Sequence, residues 1–450
     1  MNYPSYARTL LGLSLLFAAA IAGARAAEPG TLRAGAARVD ITPPADAALP
    51  MSGYASRTQG FKSIHDNIYV RAIVVDDGNT QIALVAWELI FVPNAVWAET
   101  SQRIAREVGI RPENLLLAAV HDHGAPSLSG GSAPAGAATV AYTKRVQDAA
   151  VEAVRQAKER LQPARFGAGA GTAYVNVNRR EFSSKQGWWL GFNENGPSDK
   201  TVAVLRFEDL TGKPIAFLIN YPVHAVVMGP ENLRITGDLA GATSRFVEQH
   251  YVGQTRSRSD GGPRLRLRPE EQSGGGVVAL WTSGSAGDQN PVSMASGEDF
   301  TLVDALGGIL GEAVVRVAGN IKTTAEARVW GAQRVVTCPG RRAGRVPGPR
   351  PEYKFADSDP VNIRLGLLMI GRVALSGVSG EVLTPIALRL KQESPFTQTI
   401  MVTHANGSSG YIPDDASYEQ VSYEITATRL KPGCAENEIV NGLLDLMRRK

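Results

Sequence analysis

Residues 115–126 read Leu-Leu-Leu-Ala-Ala-Val-His-Asp-His-Gly-Ala-Pro, an apolar run that stops on two histidines and an aspartate. The run is uncharged, follows Asn114 and is closed by a Gly/Pro turn, which is typical of a strand buried on both faces, as in parallel sheets. Residues i and i+2 of an extended chain point the same way, so His121 and His123 are expected to face one cavity, with Asp122 turned aside. Because imidazole binds metals and carries protons near neutral pH, this strand end is a candidate metal or acid–base site. The alternative is a pair of solvated loop histidines.

The segments around this run alternate between strand and helix patterns. Residues 68–75 and 81–87 have strand patterns with a turn between them and are predicted to form a hairpin. Glu88, directly after the second strand, is predicted to be a loop residue. Residues 93–108 and 142–161 have helical periodicity. This succession predicts an α/β fold, with a central β-sheet core flanked by helices.

Further apolar runs also end in polar or ionisable side chains. The runs are residues 214–220, 277–281, 367–375 and 397–403, and a strand-like segment at residues 173–178 ends in the same way. The side chains at these ends are Arg179, His224, Asp288, Glu381 and Tyr411, with Tyr423 further along the chain. In open α/β sheets ligands bind where strands end. We therefore expect these groups and the histidine pair to share one site at the strand ends.

Two imidazoles from distant strands and a carboxylate suit Zn²⁺, which takes nitrogen and oxygen ligands and leaves a position open for water at catalytic sites. Each residue alone also has an ordinary structural explanation. His224 could be a buried core histidine, Tyr411 a packing residue and Asp288 the cap of a turn. Glu381 could be the acid before a helix that starts near Thr384, where the helix dipole favours negative charge. Their common strand-end context favours a joint metal site.

The N-terminus has the pattern of a secretory signal peptide. Arg8 precedes an acid-free apolar stretch at residues 10–22, and residues 24–26 form a small-x-small cleavage pattern. We expect residues 1–26 to be removed and the protein to be exported, either to the periplasm or into the medium. A retained N-terminal anchor is the alternative.

Charge and cysteine content narrow the class of protein. The formal net charge is +4 at pH 7, and it falls to +2 without Arg8 and Arg25 of the leader, so nothing indicates a nucleic-acid partner. In an exported chain, Cys338 and Cys434 can form a single disulfide. Residues 186–196, which hold three large aromatic side chains among Gly and Asn, are predicted to form a loop. That loop is either a lid over an apolar substrate or a packing element.

Short motifs along the chain complete the pattern. They are Ile64-His65-Asp66, Ala119-Val120-His121-Asp122-His123-Gly124-Ala125-Pro126, Asn176-Val177-Asn178-Arg179, Asn220-Tyr221-Pro222-Val223-His224, Gly237-Asp238, Gly287-Asp288, Gly380-Glu381 and Gly410-Tyr411. In this order they resemble the motifs of the neutral/alkaline non-lysosomal ceramidase family. The resemblance runs from about Gly35 to about Tyr423.

The resemblance implies roles for individual residues. The implied zinc ligands are His121, His224, Glu381 and Tyr411. His123 would lie beside the metal as a proton carrier, and Tyr423 would polarise the scissile carbonyl. Arg179 and Asp288 are assigned to substrate binding. Residues 27–450 would then form one ceramidase-like zinc hydrolase domain.

The sequence departs from the family pattern in the motif Gly287-Asp288-Gln289-Asn290-Pro291, where the family has Gly-Asp-Val-Ser-Pro. Asn290 therefore replaces a serine of the active centre, and asparagine has no nucleophilic hydroxyl. Zinc-assisted hydrolysis survives this change, whereas an acyl-enzyme would need Ser283 or Ser285 as a substitute. Many relatives also carry a C-terminal β-sandwich domain, and we expect none here.

The expected function is that of an exported zinc-dependent amidohydrolase that cleaves an N-acyl amide bond, ceramide being split into a sphingoid base and a fatty acid. The apolar walls that receive the acyl chain are predicted to include Trp188, Trp189 and Phe192. Contact with a lipid surface is a further expectation. The alternatives are hydrolysis of another N-acyl or ester substrate, and a non-catalytic lipid-binding member of the family.

Overall fold

The computed structural model describes residues 32–57, 59–130, 135–185, 187–257, 276–344 and 354–449. The predicted signal peptide lies outside these residues. The strands are β1 (Arg33–Asp40), β2 (Ser63–Ile64), β3 (Tyr69–Asp76), β4 (Gln81–Trp87), β5 (Leu115–Ala119), β6 (Gln162–Thr172), β7 (Asn176–Ser183), β8 (Gly187–Asn193), β9 (Thr201–Asp209), β10 (Pro214–Tyr221), β11 (Arg234–Ile235), β12 (Val278–Ser283), β13 (Gln289–Pro291), β14 (Val329–Gly344), β15 (Lys354–Ile370), β16 (Val373–Val378), β17 (Glu381–Val382), β18 (Gln398–Val402) and β19 (Tyr411–Ile412). The helices are α1 (Asn94–Val108), α2 (Ala137–Glu159), α3 (Asp238–Ser257), α4 (Thr301–Gly319), α5 (Thr384–Glu393), α6 (Tyr423–Ala427) and α7 (Ala435–Arg448).

A central sheet with strand order β12-β10-β9-β6-β1-β3-β4-β5 organises the chain. β3 and β4 form the predicted antiparallel hairpin, and β5 pairs in parallel with β4 after the crossover through α1. All five residues of β5 are buried, as the uncharged Leu-Leu-Leu-Ala-Ala run predicts. The predicted fold class, an α/β core with a large central sheet and flanking helices, is confirmed.

The outer edge of β5 is covered by the segment that follows β18. Ala405 forms a bridge to Ala118, and the Asn406 side chain accepts from the Leu117 amide at 2.8 Å and donates to the Leu115 carbonyl at 3.2 Å. These bonds satisfy backbone groups that an open edge would leave unpaired. They also bring residues from the C-terminal part of the chain beside the loop that carries His121.

A second sheet, ordered β14-β15-β16-β18, packs against α5 and α7. The sequence run at residues 367–375 was predicted to be one strand, and this is wrong. The chain turns at Gly371, where φ is +57°, so the run contributes to two antiparallel strands, β15 and β16. Cys338 of β14 and Cys434, directly before α7, form the predicted disulfide.

The aromatic segment at residues 186–196 was predicted to be a loop, and this is also wrong. Residues Gly187–Asn193 form β8, which pairs antiparallel with β7 in a three-stranded sheet of order β13-β7-β8. Arg179 and Arg180 consequently lie inside β7 rather than at a strand end. Among the residues that the structure describes, no helix is both long and apolar enough to cross a lipid bilayer.

Candidate metal centre

Separate stretches of chain bring the predicted site residues together. His121 and His123 follow β5, and His224 follows β10. Glu381 starts β17 and Tyr411 starts β19, and these two short strands pair in parallel with Glu381 opposite Tyr411. The pairing of these two strands therefore fixes the positions of Glu381 and Tyr411 relative to each other.

Three imidazoles and one carboxylate form the centre of the cluster. The His121 Nε2 atom lies 3.4 Å from Glu381 Oε2, and His224 Nε2 lies 3.5 Å from the same oxygen. His123 Nε2 lies 3.3 Å from His121 Nε2. Glu381 Oε2 is buried and makes no well-formed hydrogen bond to any described residue. A buried carboxylate oxygen without a donor is costly, and a cation held by these ligands would satisfy it.

Backbone carbonyls orient two of the rings. His121 Nδ1 lies 2.9 Å from the Ile90 carbonyl oxygen, and His224 Nδ1 lies 3.0 Å from that of Gln289. A neutral ring that donates its Nδ1–H to a carbonyl keeps the lone pair on Nε2. Both Nε2 atoms are those that face Glu381, so the rings are held in the tautomer that binds a metal.

The loop around Gly53 makes room for His123. A side-chain carbon at Gly53 would lie 2.3 Å from His123 Nδ1, and the backbone there has φ +105°, so both space and conformation require glycine. The Tyr54 ring packs edge-on against His123 at 4.9 Å between centroids. His123 Nδ1 is buried without a partner among the described residues. The ring is therefore positioned by packing and by the contact of its Nε2 with His121, and its Nδ1 is the nitrogen without a protein partner among the described residues.

The two rings of His121 and His123 do meet, but the prediction that an extended backbone brings them together was wrong. His121 has φ +61°, in the left-handed region rather than in an extended strand. The chain turns there because the Val120 amide still bonds to β4, through the Trp87 carbonyl, while the His123 amide bonds to Ala225. Asp122 is turned aside as expected, fully buried, with Oδ1 accepting from the Gly124 amide at 2.7 Å.

The charges in the cluster match a zinc site. Burial, with Arg179 nearby, lowers the pKa of His224 to about 3, and burial beside His121 lowers the pKa of His123 well below its usual value. Burial opposes the charge of Glu381, but His121 and other neighbouring imidazoles hold the pKa of this carboxyl well below its ordinary range. Neutral imidazole nitrogens and an anionic oxygen are the ligands that Zn²⁺ prefers, whereas Ca²⁺ and Mg²⁺ take oxygen ligands. The residues present therefore fit the predicted ion.

Arg179 connects the cluster to a buried acid that the sequence did not single out. Its Nε lies 2.7 Å from Glu424, its Nη1 lies 3.2 Å from His224 Nε2 and 3.3 Å from Asn290 Oδ1, and its Nη2 donates to the Tyr411 hydroxyl at 3.1 Å. All three guanidinium nitrogens thus contact protein atoms. Burial, with the Glu381 carboxylate second, raises the pKa of Tyr411 well above its usual value.

The remaining predicted residues lie around this network. Tyr423 is half exposed, and its ring packs edge-on against Tyr411 at 5.6 Å. Asp288 is fully buried and accepts hydrogen bonds from the Thr384 amide and hydroxyl, at 3.0 and 2.6 Å, and from Asn178 at 3.1 Å. These bonds hold the first residue of α5, so Asp288 supports the start of a helix, whereas the alternative left open from the sequence was the cap of a turn. The predicted contacts of Tyr423 and Asp288 with substrate stay predictions.

Both serines that could replace a nucleophile are buried and bonded to backbone carbonyls. Ser283 Oγ donates to the Val120 carbonyl at 2.8 Å, and Ser285 Oγ donates to the carbonyls of Val382 and Leu383, each at 2.8 Å. Neither hydroxyl has an imidazole as its hydrogen-bond acceptor. These contacts brace the strand ends and do not activate a nucleophile.

The sequence reasoning missed His404. This residue follows β18, is buried, and stacks on the His121 ring with centroids 4.1 Å apart and planes at 13°. Its signal was the same strand-end rule that selected the other site residues, because it follows the predicted strand at residues 397–403. Glu424 had no comparable signal, since it lies in a short helix and its role depends on the tertiary contact with Arg179.

Sequence comparison identifies relatives. A family profile described as "Neutral/alkaline non-lysosomal ceramidase, N-terminal" matches residues 32–300. The chain is 30% identical over 254 residues to "Neutral ceramidase" of Pseudomonas aeruginosa, covering 53% of this chain and 38% of that protein. It is 28% identical over 235 residues to "Neutral ceramidase A" of Dictyostelium discoideum, covering 48% of this chain and 32% of that protein. The matched region thus spans about a third of the length of these relatives.

Solved structures show the same fold. A structure described as "Ceramidase complexed with C2" superimposes with a TM-score of 0.76 at 19% identity, covering 93% of this chain and 76% of that chain. The crystal structure of neutral ceramidase from Pseudomonas aeruginosa gives a TM-score of 0.72 at 20% identity, with coverage of 93% and 75%. With the profile match over more than half of its residues, the chain belongs to the neutral/alkaline non-lysosomal ceramidase family.

Proposed function

We propose that this chain is a zinc-dependent amidohydrolase that cleaves an N-acyl amide bond, with ceramide as the substrate and a sphingoid base and a fatty acid as products. The observation that carries the proposal is the buried Glu381 Oε2 atom, which has no hydrogen-bond donor in the described chain and faces two imidazole nitrogens. Membership of a family whose relatives are named neutral ceramidases supports amide hydrolysis and a lipid substrate.

His121, His224, Glu381 and Tyr411 would hold the zinc ion. When bound, Zn²⁺ would lower the pKa of a water molecule from 15.7 to about 7 and polarise the amide carbonyl. The protein fixes the direction of the ligands through the carbonyls of Ile90 and Gln289.

His123 is the proposed proton carrier. Its ring is adjacent to His121, and the two nitrogens of a neutral imidazole can accept one proton and release another. It would take a proton from the attacking water and return it to the leaving amine nitrogen. Such transfer contributes typically about 10²- to 10⁴-fold to a rate.

Tyr423 is the proposed hydrogen-bond donor to the scissile carbonyl oxygen. It is half exposed beside Tyr411, so its hydroxyl can meet a substrate at the rim of the site. One donor aimed at a developing oxyanion is worth roughly 3 kcal/mol. Arg179 holds Tyr411 and Asn290 in place through hydrogen bonds. To bind the substrate as predicted, Arg179 would have to exchange one of these bonds for a bond to the substrate.

The absence of a hydroxyl at Asn290 supports direct attack by water. The family's serine is replaced at this position, and Ser283 and Ser285 donate to backbone carbonyls. An acyl-enzyme route would therefore lack its nucleophile. Asn290 can still donate or accept a hydrogen bond, and it would orient substrate next to Arg179.

The β7–β8 hairpin is the proposed receiver of the aliphatic chain. It exposes Phe182 and Leu190 on one face, Trp189 on the other, and Phe192 near the end of β8. The helix α6, which carries Tyr423, packs against β8. A cluster of exposed apolar side chains marks a binding surface more often than an ordinary solvated face. We propose that the same hairpin touches a lipid surface when the enzyme takes up substrate.

Export is proposed from the leader pattern at residues 1–26, with the periplasm or the medium as the destination. The disulfide between Cys338 and Cys434 agrees with an oxidising compartment. Cell fractionation with N-terminal sequencing of the recovered protein tests this. Cleavage near residue 26 is expected, and an uncleaved chain in the cytoplasmic fraction would contradict it.

The decisive experiment uses the purified protein with ceramides of short and long acyl chain, other N-acyl amides, and carboxylic esters. Each substrate is assayed with zinc, after chelation, and after zinc is restored. We expect release of fatty acid and amine from ceramide, loss on chelation and recovery with Zn²⁺. His121→Ala should remove the chelator-sensitive activity, while His250→Ala, on α3, should retain it.

The other outcomes separate the alternatives. Lipid binding without release of fatty acid would support a non-catalytic member of the family. Faster cleavage of another amide or of an ester would keep the hydrolase and change the substrate. Full activity of His121→Ala would remove this histidine from the mechanism.

A further inference from the structure

His404 lies against the metal cluster, although none of the family motifs in the sequence contains it. Its side chain is 4% exposed, and its ring is nearly parallel to that of His121. In the described part of the chain, the ligand atoms of His121, Glu381 and His404 all lie within 4.8 Å of one another. The same holds for His121, His123 and His224. The two triplets share His121.

Both triplets converge on one side of the His121 ring. Its Nδ1 atom is bonded to the Ile90 carbonyl, so Nε2 is the nitrogen available to a ligand in either set. Glu381 Oε2 lies 3.4 Å from that nitrogen and 3.5 Å from His224 Nε2. One ion beside Glu381 would be within reach of both triplets once the His404 ring turns from its stacked position towards Glu381, because the lone pair of an imidazole nitrogen lies in the plane of its ring.

The backbone holds His404 in an unusual conformation. Its φ is +53°, in the left-handed region, which a residue with a side chain adopts at a cost and keeps only where its surroundings hold it. The His404 amide donates to the Gly380 carbonyl at 3.2 Å, and its carbonyl accepts from Ala119 at 3.2 Å. His404 is thus clamped between the residue before Glu381 and the end of β5, which are the two segments that deliver the ligands.

We propose that His404 is a further nitrogen ligand of this metal centre. The proposal rests on the proposed zinc site, and it goes beyond the ligands implied by the family resemblance. With His404 added to His121 and His224, the metal would have three imidazole ligands and one carboxylate, so nitrogen ligands would predominate. Such a set selects Zn²⁺ and Co²⁺ over Mg²⁺ and Ca²⁺. The competing explanation is that His404 only packs on His121 and holds its ring.

The test compares His404→Asn with His404→Phe. Asparagine tolerates a left-handed backbone, so His404→Asn should fold, and its amide oxygen is a weak zinc ligand. Phenylalanine retains a ring that can stack on His121 but has no nitrogen. His65→Asn is the matched control, because His65 is also a stacked imidazole, on Phe300 at 3.6 Å. Circular dichroism and thermal unfolding of the metal-free proteins check that each variant is folded.

Zinc affinity is measured by competition with a chromogenic chelator, and the coordination of Co²⁺ by its visible absorption bands. We expect both His404 variants to lose more than about 100-fold in zinc affinity, beyond the 10- to 100-fold typical of residues that only orient a ligand. The Co²⁺ bands should shift in both variants, and His65→Asn should match the wild type.

A His404→Phe protein with wild-type zinc affinity and wild-type Co²⁺ bands would show that only stacking matters, and would overturn the proposal. Because the readout is metal binding, the result does not depend on the substrate. Wild-type protein that binds zinc through His404 without cleaving any amide would refute the proposed activity alone. Wild-type protein that binds no zinc would refute both.

Discussion

Two clusters in this protein hold carboxylates away from solvent, but the carboxylates have different partners in each. In the first, Arg71 lies between two acids: its Nε is 2.9 Å from Glu248 Oε1, and its Nη1 donates to Glu88 Oε1. Arg38 donates to the second oxygen of Glu248, and the Tyr69 amide donates to the second oxygen of Glu88 at 2.9 Å. Every carboxylate oxygen of this cluster has a donor from the protein.

In the second cluster the carboxylate faces imidazoles instead of guanidinium groups. His224, with its pKa near 3, is neutral at pH 7, and Glu381 is ionised. No arginine or lysine forms an ion pair with Glu381 among the described residues, and Glu381 Oε2 has no hydrogen-bond donor there. Glu88 and the Oε2 atom of Glu381 are both buried, so burial alone does not mark a site. The kind of group that faces the carboxylate decides whether the cluster braces the fold or is suited to hold a cation.

The largest expected effect comes from removing the negative charge of Glu381. Glu381→Gln keeps the size of the side chain but offers a neutral amide. We expect the zinc content to fall to near zero and kcat/KM for amide cleavage to fall by at least about 10³-fold, or roughly 4 kcal/mol of transition-state stabilisation. Metal analysis and steady-state kinetics measure both quantities.

Glu88→Gln is the matched control for this prediction, since the same chemical change is made in the arginine-balanced cluster. Its folded fraction should retain wild-type zinc content. Glu381→Gln protein that still holds one zinc per chain would contradict the distinction between the two clusters.

The second prediction removes the arginine that pairs with both acids of the first cluster. Arg71→Met leaves Glu88 and Glu248 buried with fewer donors, and removing one partner of a buried ion pair typically costs about 3–5 kcal/mol. The free energy of unfolding, from urea titration, should fall by that amount. Arg155→Met is the control, because Arg155 pairs with Glu152 and Glu159 on the exposed face of α2, where such pairs contribute little. Equal stability of the two variants would show that the buried network is not a brace.

Sequence patterns within a few residues predicted those strands and helices whose conformation depends on neighbouring residues of the chain. The uncharged run in β5, the β3–β4 hairpin and helices α1 and α2 follow from periodicity and turn residues within a few positions. Glu88 was predicted to be a loop residue and does follow the end of β4, but its burial and its ion pair with Arg71 had no local signal, because Arg71 is on a different strand. The aromatic segment became β8 for the same reason: its pairing partner, β7, decides its conformation.

The site shows the same division. His121, His123, His224 and Glu381 were predictable because a buried strand ends abruptly on each, and strand ends gather in α/β folds. His404 also follows a strand, but its position over His121 depends on a left-handed backbone clamped by Gly380 and Ala119. No spacing rule contains that information, since the clamp exists only once β5 and the segment after β18 have met.

The third prediction concerns removal of the metal and is smaller. A ligand that binds only the folded state stabilises it by about 2.7 kcal/mol when its free concentration is 100 times Kd. Chelation should therefore lower the melting temperature of the wild type and of Arg71→Met by similar amounts. Glu381→Gln should not respond. A response of Glu381→Gln equal to that of the wild type would place the stabilising ion elsewhere.

The smallest expected effect is a pH dependence that arises from Asp66, a partly buried acid whose charge is balanced by protein groups. Asp66 lies 2.6 Å from Arg245 Nη1, accepts from the Thr236 hydroxyl at 2.6 Å and from the Gly237 amide at 3.0 Å. Burial opposes its charge, but Arg245 and these donors hold the pKa of Asp66 below its usual value. A carboxyl whose pKa is lower in the folded state stabilises the fold above its unfolded pKa, near 3.9, and this stabilisation is lost as the pH falls through the folded value.

Replacing the Asp66 carboxyl tests the direction of its pKa shift. Wild type should be more stable than Asp66→Asn at pH 7, and urea titrations at falling pH should show the difference narrowing below about pH 4. Because arginine, and not a metal, balances Asp66, added zinc or chelator should leave the difference unchanged at each pH. A difference that widens in acid would reverse the sign of the pKa shift. A difference that depends on zinc would mean that this acid belongs with Glu381 rather than with Glu88.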